Sequence, residues 1–194
     1  MESRDSSVST LLEQERSSNL GIFSLRRSIR QFSDDPVDLH ELNELLEYII
    51  KVTCSAGNLR AFHLHIVTNP DLRNYIFHKC HKQRVVGQAP VIIVVAADTD
   101  RNEHKYKTRS SFYATCDATI IANNILLALP ALGLGGTYVG AFSDDLLANL
   151  GINQRTIAVL PIGYPDPNRR QRQRREIDPS EYISELTMPE IEEK

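Results

Sequence analysis

The sequence predicts one soluble domain that combines α-helices with buried β-strands. A chain of 194 residues is long enough for a substantial core, and 41% hydrophobic and 24% charged residues are ordinary for a globular protein. Residues 91–97 read Val-Ile-Ile-Val-Val-Ala-Ala, a run typical of a central strand that is buried on both faces. Residues 111–132 form the longest predicted helix, and because it is apolar nearly all round we expect it in a core or a subunit interface.

Charge and cysteine content argue against several classes of protein. A net charge of -3 gives no overall field that would attract nucleic acid or an anionic membrane. Cys54, Cys80 and Cys116 are odd in number and widely spaced, which suits reduced thiols. Cys80 stands between His78 and His81, but no second close pair of ligands completes a metal site. The early acidic residues argue against a transit peptide, because such peptides are poor in Asp and Glu. Together these features predict a cytoplasmic protein without metal.

A basic segment near the start of the chain, residues 26–30, reads Arg-Arg-Ser-Ile-Arg. If it is extended, Arg26, Ser28 and Arg30 share one face, and the two outer arginines lie roughly 13 Å apart. Guanidinium groups bind phosphate oxygens bidentately and stay charged, so this row suits an elongated anion better than a point charge. An exposed, solvated basic face is the alternative interpretation.

The first half of the chain shows two helices and a strand. Residues 1–20 are rich in Ser, Glu and Arg, and we expect them to form a flexible arm or a short docking helix. Asp38 is the predicted N-cap of a helix over residues 39–52, whose leucines and isoleucines recur every three or four positions. Small residues at 54–58 then precede a predicted strand at 63–68 and a helix at 71–82.

The second half alternates polar excursions with apolar elements. We expect residues 98–112, which are polar and charged, to cross the surface as an active-site flap does. Glycines at 133–136 end the long helix, and a short helix at 144–150 and a strand at 157–162 follow. Residues 169–175 contain five arginines, and a nucleic-acid surface is one interpretation of such a cluster. The acidic tail from Glu176 is expected to be stable only when laid on another surface.

Several separated segments together resemble the nitroreductase family of FMN-dependent oxidoreductases. Each segment is weak alone, and their order and spacing carry the resemblance over residues 21–183. The matching segments are residues 26–30, Ser55-Ala56-Gly57-Asn58-Leu59, Gln88-Ala89-Pro90, Asp117 with residues 123–127, Gly133-Leu134-Gly135, residues 139–142, and residues 160–165 with the arginines that follow.

The resemblance implies an α+β fold, a three-layer α/β/α sandwich with a central mixed sheet, that works as an intertwined homodimer. Two FMN molecules would lie in the dimer interface, and NAD(P)H would be the electron donor. Residues 1–20 would be a flexible arm, and residues 21–194 an FMN-binding domain whose C-terminal tail wraps the partner. The length of the basic row then matches FMN from its phosphate to its pyrimidine edge.

The resemblance also implies a role for individual residues. Arg26 and Ser28 would hold phosphate and ribityl oxygens, and Arg30 would reach the pyrimidine edge. Ser55, Asn58 and Arg60 would approach the flavin from the other subunit. The full set expected at the cofactor is Arg26, Arg27, Ser28, Arg30, Ser55, Asn58, Arg60, Tyr138, Val139, Gly140, Ala141, Arg172 and Arg174. Those expected at the substrate are Phe62, Tyr106 and Tyr138.

No dedicated catalytic side chain is implied, because the backbone near Gly140 would face the reactive N5 atom of the flavin. The sequence departs from the family pattern at three places. Arg60-Ala61-Phe62 stands where Gln-Pro-Trp is frequent, Cys116 where Gln is common, and Thr53-Cys54 where Ala-Pro is common. The charge of Arg60 is therefore a hypothesis for a raised flavin potential or an acidic substrate.

Three functions remain open at this point. The first is an FMN-dependent reductase that passes electrons from NAD(P)H to nitroaromatic, quinone or related acceptors by alternating half-reactions. The second is a flavin oxidase or dehydrogenase of an amide, azoline or peptide-like substrate. The third is a non-catalytic flavin-binding or partner-binding dimer. The choice between NADH and NADPH is also open, because residues 133–136 are not a Rossmann fingerprint.

Overall fold

A four-stranded antiparallel sheet lies at the centre of the computed structural model, which describes residues 21–169 and 173–185. The spatial order is β1-β2-β4-β3, and the strands are β1 (Phe62–Val67), β2 (Val91–Ala97), β3 (Gly135–Gly136) and β4 (Arg155–Gly163). The predicted arm at residues 1–20 lies outside the described residues, as does Arg172.

The central strand β2 is buried along its whole length, as its β-branched run predicts. Successive side chains of a strand point to opposite faces, so Ile93 and Val95 join one hydrophobic core while Ile92 and Val94 join another. The neighbouring strand β4 alternates in the same way. The sheet therefore separates two cores, one on each face.

Helices cover both faces and complete the predicted three-layer sandwich. One face carries α2 (Leu39–Val52) and α6 (Ser110–Ala128), which contribute Leu46 and Ile121 to the first core. The other face carries α3 (Pro70–Lys79) and α4 (Arg84–Gln88). The named strands pair antiparallel, and the parallel contact of the predicted mixed sheet is a bridge between Ser28 and Gly136.

Helix α2 begins where its cap predicts. The Asp38 carboxylate accepts hydrogen bonds from the backbone N–H groups of His40 and Glu41, which satisfies two donors that the helix leaves unpaired. Leu42, Leu46 and Ile49 form its buried face. The helical periodicity predicted for residues 39–52 is confirmed.

Two predicted helices differ from the structure, and one observed helix was not predicted. The helix predicted over residues 71–82 ends at Lys79, because His81 and Lys82 adopt positive φ angles of 53° and 56°. A second helix, α4, then starts at Arg84 and was not predicted. The helix predicted at 144–150 is reduced to turns and the 3₁₀ segment Ala148–Leu150.

The surface excursion predicted at residues 98–112 contains a helix, α5 (Asp100–Tyr106), followed by the 3₁₀ segment Lys107–Arg109. Helix α6 follows directly and is shorter than predicted, since a 3₁₀ turn at Leu129–Leu132 replaces its last turn at Pro130. The stretch Asp100–Leu132 has the length and hydropathy of a membrane span. Its α6 part packs against the sheet as a core helix.

The chain enters the domain through α1 (Gly21–Leu25) and then becomes extended. The Ile29 backbone N–H donates to the Gly136 carbonyl at 2.9 Å, and the Ile29 side chain is buried. Leu25 lies at the end of α1 and is 66% exposed. The extended segment at residues 26–31 is therefore fixed to the edge strand β3.

Candidate functional site

An open cavity of about 1010 Å³ lies beside this extended segment. We name it the arginine cavity, because six of the described residues that line it are arginines and one, Asp166, is acidic. The arginines are Arg26, Arg27, Arg30, Arg84, Arg169 and Arg174. Arg169 pairs with Asp166 at 3.8 Å, and the surplus of guanidinium groups that is left suits a multiply charged anion, above all a phosphate.

Because the segment is extended, the predicted row of side chains points toward the arginine cavity. Ile29 points the other way, into the protein, and anchors the segment against Gly135 and Gly136. Arg26 Nη1 lies 3.5 Å from Ser28 Oγ, which places these two side chains on one face. Arg30 Nη1 donates to the Ser28 carbonyl at 3.3 Å. The geometry of the row therefore agrees with the alternation that the sequence predicts.

Arg174 joins the arginine cavity from the far end of the chain. Its Nη2 atom donates to the carbonyls of Phe23, Ser24 and Arg26 at 2.7, 3.1 and 3.0 Å. These are carbonyls at the C-terminal end of α1, where a cation is favourable. The contact ties the C-terminal segment to the basic row, as the resemblance implies, and Arg172 lies outside the described residues.

Gln83 and Arg84 also line the arginine cavity, and the sequence did not single them out. They stand where α4 begins, after the left-handed turn at His81 and Lys82. Gln83 Nε2 donates to the Ala141 carbonyl at 2.7 Å, which connects the cavity to the segment at residues 138–141. A Gln-Arg pair between two short helices carries no signal of its own, so only the tertiary structure reveals it.

The segment at residues 138–141 runs beside β4. Val139 exchanges two backbone hydrogen bonds of 3.0 Å with Val159 and is buried. The Tyr138 hydroxyl donates to the Ile157 carbonyl at 3.2 Å, and burial raises the pKa of Tyr138. Gly140 is exposed, and a Cβ placed there would have Tyr138 as its nearest neighbour at 3.7 Å. A flat ligand therefore has free access to this backbone.

The loop at residues 55–60 forms a second candidate surface, away from the arginine cavity of the same chain. Gly57, Asn58 and Arg60 all adopt left-handed backbone angles, with φ of 58°, 62° and 51°. Such angles are uncommon outside glycine and cluster at functional sites. The Arg60 backbone N–H donates to Ser55 Oγ at 3.0 Å, which closes the loop on itself. Ser55, Asn58 and Arg60 are thus brought together, but not with Arg26.

Two buried or half-buried groups hold this loop in place. Asp117, only 1% exposed, accepts hydrogen bonds from the backbone N–H groups of Ala56 and Ala61. The Arg60 guanidinium donates to the carbonyls of Ile50 and Lys51 at 2.9 and 3.1 Å, at the C-terminal end of α2. It also donates to the Asn58 carbonyl at 3.1 Å. The loop is therefore preorganised within one chain.

The three residues predicted at the substrate differ in how far they are exposed. Phe62 is only 5% exposed and packs in the first core, so the single chain offers no substrate contact there. Its backbone pairs with Ala97, which turns the side chain into the core face of β1. Tyr106 is partly exposed, and its hydroxyl would lie 2.7 Å from a Cβ at Gly57. Tyr106 and Tyr138 therefore remain candidates.

The residues of the arginine cavity fit the cofactor that the resemblance implies. The donors are guanidinium groups, a serine hydroxyl and glutamine amides, which match phosphate, ribityl and pyrimidine oxygens. They follow an extended chain, which suits an elongated ligand. The open backbone at Gly140 is joined to the same cavity through Gln83.

Cys80 is unsuited to a metal, because burial raises its pKa to about 11 and keeps the thiol protonated.

The fold and the site define an α/β/α sandwich protein with an arginine-lined cavity. The family model named Nitroreductase family matches residues 24–83 and 76–164 of the chain. The chain belongs to the nitroreductase family.

Two curated relatives illustrate the similarity. An NADH dehydrogenase of Thermus thermophilus is 27% identical over 171 residues, which cover 72% of this chain and 83% of that protein. An NADPH-flavin oxidoreductase of Vibrio harveyi is 26% identical over 153 residues, which cover 73% of this chain and 63% of that protein.

A solved structure supports the fold independently. The NADPH:FMN oxidoreductase from Vibrio harveyi, crystallised with NAD+, superposes with a TM-score of 0.75 and 23% sequence identity. The superposition covers 89% of this chain and 78% of that chain. At this identity the likeness establishes the nitroreductase fold.

Proposed function

We propose that the chain is an FMN-dependent oxidoreductase that takes its electrons from NAD(P)H. The observation that carries this proposal is the arginine cavity, a row of guanidinium groups on an extended segment, which the Gln83–Ala141 hydrogen bond connects to the open backbone at Gly140. Family membership agrees with it, since the relatives above are named for NADH, NADPH and flavin. Bound FMN would supply the hydride-transfer chemistry, and the protein would supply position and electrostatics.

Each part of the arginine cavity has a distinct task in this proposal. Arg26, Ser28 and Arg174 would hold phosphate and ribityl oxygens, with Arg172 assigned by resemblance alone. Arg30 would place a fixed positive charge at the pyrimidine edge, where it stabilises negative charge that develops during reduction. Gln83, which sequence analysis missed, would donate from the same wall while it positions Ala141.

We infer that the working form is a homodimer. Ser55, Asn58 and Arg60 form an ordered loop that lies away from their own arginine cavity, so they are available to the cofactor of a second copy. The C-terminal segment leaves Ile177, Tyr182 and Ile183 63%, 74% and 75% exposed, and a second copy would cover them. Residues 21–194 would then form one domain whose tail wraps the partner. Sedimentation tests this inference, and a fully active monomer would contradict it.

The proposed acceptors are nitroaromatic compounds and quinones. With a quinone, two electrons and one proton from NAD(P)H and one further proton from water give the hydroquinone and NAD(P)+. With a nitroarene, the same two electrons and two protons give the nitroso compound and water. The free thiols of Cys54, Cys80 and Cys116 agree with a reducing cytoplasm as the setting.

The test is the visible spectrum of the purified protein after incubation with FMN and gel filtration, followed by anaerobic addition of NADH or NADPH. We expect a yellow protein that bleaches rapidly with at least one nicotinamide and recovers its colour on addition of menadione. A colourless protein that takes up no FMN would contradict the proposal. Slow bleaching with turnover that depends on oxygen would favour an oxidase instead.

A further inference from the structure

A surface between α5 and α6 combines unpaired positive charge with aromatic rings. We name it the cation–aromatic patch and define it by Lys105, Tyr106, Arg109, Phe112 and Tyr113. The rings of Tyr106 and Tyr113 lie 4.4 Å apart. Lys105 Nζ lies 5.5 Å from the centre of the Tyr106 ring, and Arg109 Cζ lies 5.2 Å from that of Tyr113. Phe112, 5.4 Å from Arg109 Cζ, is 56% exposed.

The charge of the patch is not neutralised within the described part of the chain. Residues 104–113 read His-Lys-Tyr-Lys-Thr-Arg-Ser-Ser-Phe-Tyr and contain no acidic residue. Neither Lys105 nor Arg109 forms an ion pair within 4.0 Å there, whereas Arg101 on the same helix pairs with Asp98 at 2.9 Å. The patch is therefore positive on a chain whose net charge is -3.

The patch is held in a defined shape. The fully buried Asn102 donates to the Ser110 carbonyl at 3.1 Å, which fastens α5 to the start of α6. Between them Lys107 adopts φ 47° and ψ -120°, a conformation that glycine prefers. Strained backbone of this kind persists only where the surroundings enforce it, and it concentrates at binding sites.

The patch adjoins the loop at residues 55–60. A Cβ at Gly57 would lie 2.7 Å from the Tyr106 hydroxyl and even closer to Lys105 Nζ, so only glycine leaves both side chains in place. The guanidinium of Arg60 lies in the same loop and adds a further positive charge. In the homodimer proposed above, this loop approaches the flavin of the second copy, so the patch would border the entrance to that flavin.

We propose that the cation–aromatic patch selects acceptor substrates that are both aromatic and anionic, such as ring compounds with a carboxylate or sulfonate. The substrate ring would stack beside Tyr106 and Tyr113, and its anionic group would pair with Lys105 and Arg109. Because Lys105 and Arg109 are already held over aromatic rings, their side chains lose little conformational entropy when such a ligand binds. This inference rests on the proposed function and gives it a substrate class.

The test compares two nitroarenes of nearly equal shape, 4-nitrobenzoate and 4-nitrobenzamide, with the FMN-loaded protein. In Lys105→Gln/Arg109→Gln we expect the kcat/KM ratio of benzoate to benzamide to fall about tenfold, because two charge interactions are lost. The change should appear mainly in KM, since the charges bind the ground state and the transition state alike. Arg101→Gln, on the same helix but outside the patch, is the matched control and should leave the ratio unchanged.

A second measurement needs no variant. For the wild-type protein, kcat/KM with 4-nitrobenzoate should fall as salt rises from 20 to 500 mM (chosen concentrations), while that with 4-nitrobenzamide stays flat. Turnover of neither nitroarene by a protein that still reduces menadione would overturn this inference alone, whereas no turnover with menadione either would overturn the proposed function with it. Turnover of both with a ratio that neither salt nor the double variant changes would overturn the inference alone. Binding of a thymidine oligonucleotide that the double variant abolishes, with that ratio unchanged, would replace it with a nucleic-acid surface.

Discussion

The buried carboxylate of Asp117 and the backbone N–H of Ala61 are 3.1 Å apart, although 56 positions of sequence separate them. The other oxygen of the same carboxylate accepts from the Ala56 N–H at 2.8 Å. One side chain of α6 thereby fixes both ends of the loop whose middle residues adopt left-handed angles. This relationship explains how the backbone at Ser55, Asn58 and Arg60 is held in one conformation within the single chain.

We expect Asp117→Asn to lower the free energy of unfolding by about 1–3 kcal/mol, because an amide NH2 would face a backbone N–H that then loses its acceptor. FMN affinity should fall as well if the loop contacts the cofactor of the partner. Urea unfolding monitored by circular dichroism measures the first effect. Asp34→Asn, at an exposed position, is the control. Equal stability of Asp117→Asn and the wild type would show that the carboxylate does not fasten the loop.

Arg60 has a structural task that its sequence context did not suggest. We expect Arg60→Gln to destabilise the fold by roughly 1–2 kcal/mol, because the guanidinium binds carbonyls at the C-terminal end of α2. The midpoint potential of the bound flavin, measured on the same variant, tests the electrostatic hypothesis separately. A lower potential in Arg60→Gln would support it, and an unchanged potential would reject it.

Gly135 has no room for a side chain, because a Cβ there would overlap the side chain of Ile29. We expect Gly135→Ala to displace the extended segment and weaken FMN binding roughly tenfold or more, since the row at Arg26 and Arg30 would shift. Isothermal titration with FMN measures the effect. The second substitution in Gly135→Ala/Ile29→Ala should restore part of the affinity. No loss of affinity in Gly135→Ala would mean that the contact does not position the row.

His65 makes stability depend on pH. Burial lowers the pKa of His65, and the nearby His63 acts in the same direction, against the hydrogen bond that His65 Nε2 donates to Gln154 Oε1. Below the ordinary histidine pKa of about 6.5 the unfolded chain therefore binds more protons at this site than the folded chain, so stability is lost as the pH falls.

Thermal unfolding at pH 8.0 and 5.5 (chosen conditions) measures this loss. The drop in Tm between the two values should be smaller in His65→Gln than in the wild type. His104→Gln, at an exposed position on α5, should behave like the wild type. Identical drops in His65→Gln and the wild type would contradict the assignment.

Periodicity and capping predicted most of the layered fold. The β-branched run at residues 91–97 and the cap at Asp38 are local signals that fix an element almost alone, and both were confirmed. The helix predicted over residues 71–82 ends earlier than predicted, because two non-glycine residues, His81 and Lys82, adopt left-handed backbone angles. The residue types at these two positions do not predict a left-handed conformation, because tertiary packing imposes it.

The site was predictable only where its residues are adjacent in sequence. Arg26, Ser28 and Arg30 follow from alternation along one extended segment. Gln83 reaches the same cavity through a turn, and Phe62 is withdrawn from the surface by the register of β1. Both outcomes depend on contacts between distant parts of the chain, which periodicity does not report.

We propose that the arginine cavity holds the phosphate and ring of FMN. The most direct test of this claim is a titration of apoprotein with FMN that is monitored by the quenching of flavin fluorescence. The titration compares the wild type with Arg26→Ala/Arg30→Ala and with the control Arg101→Ala. We predict that the double variant raises Kd by roughly 100-fold or more, because two charge-assisted contacts are lost, while the control leaves it unchanged. A folded double variant that binds FMN with the affinity of the wild type would contradict the claim.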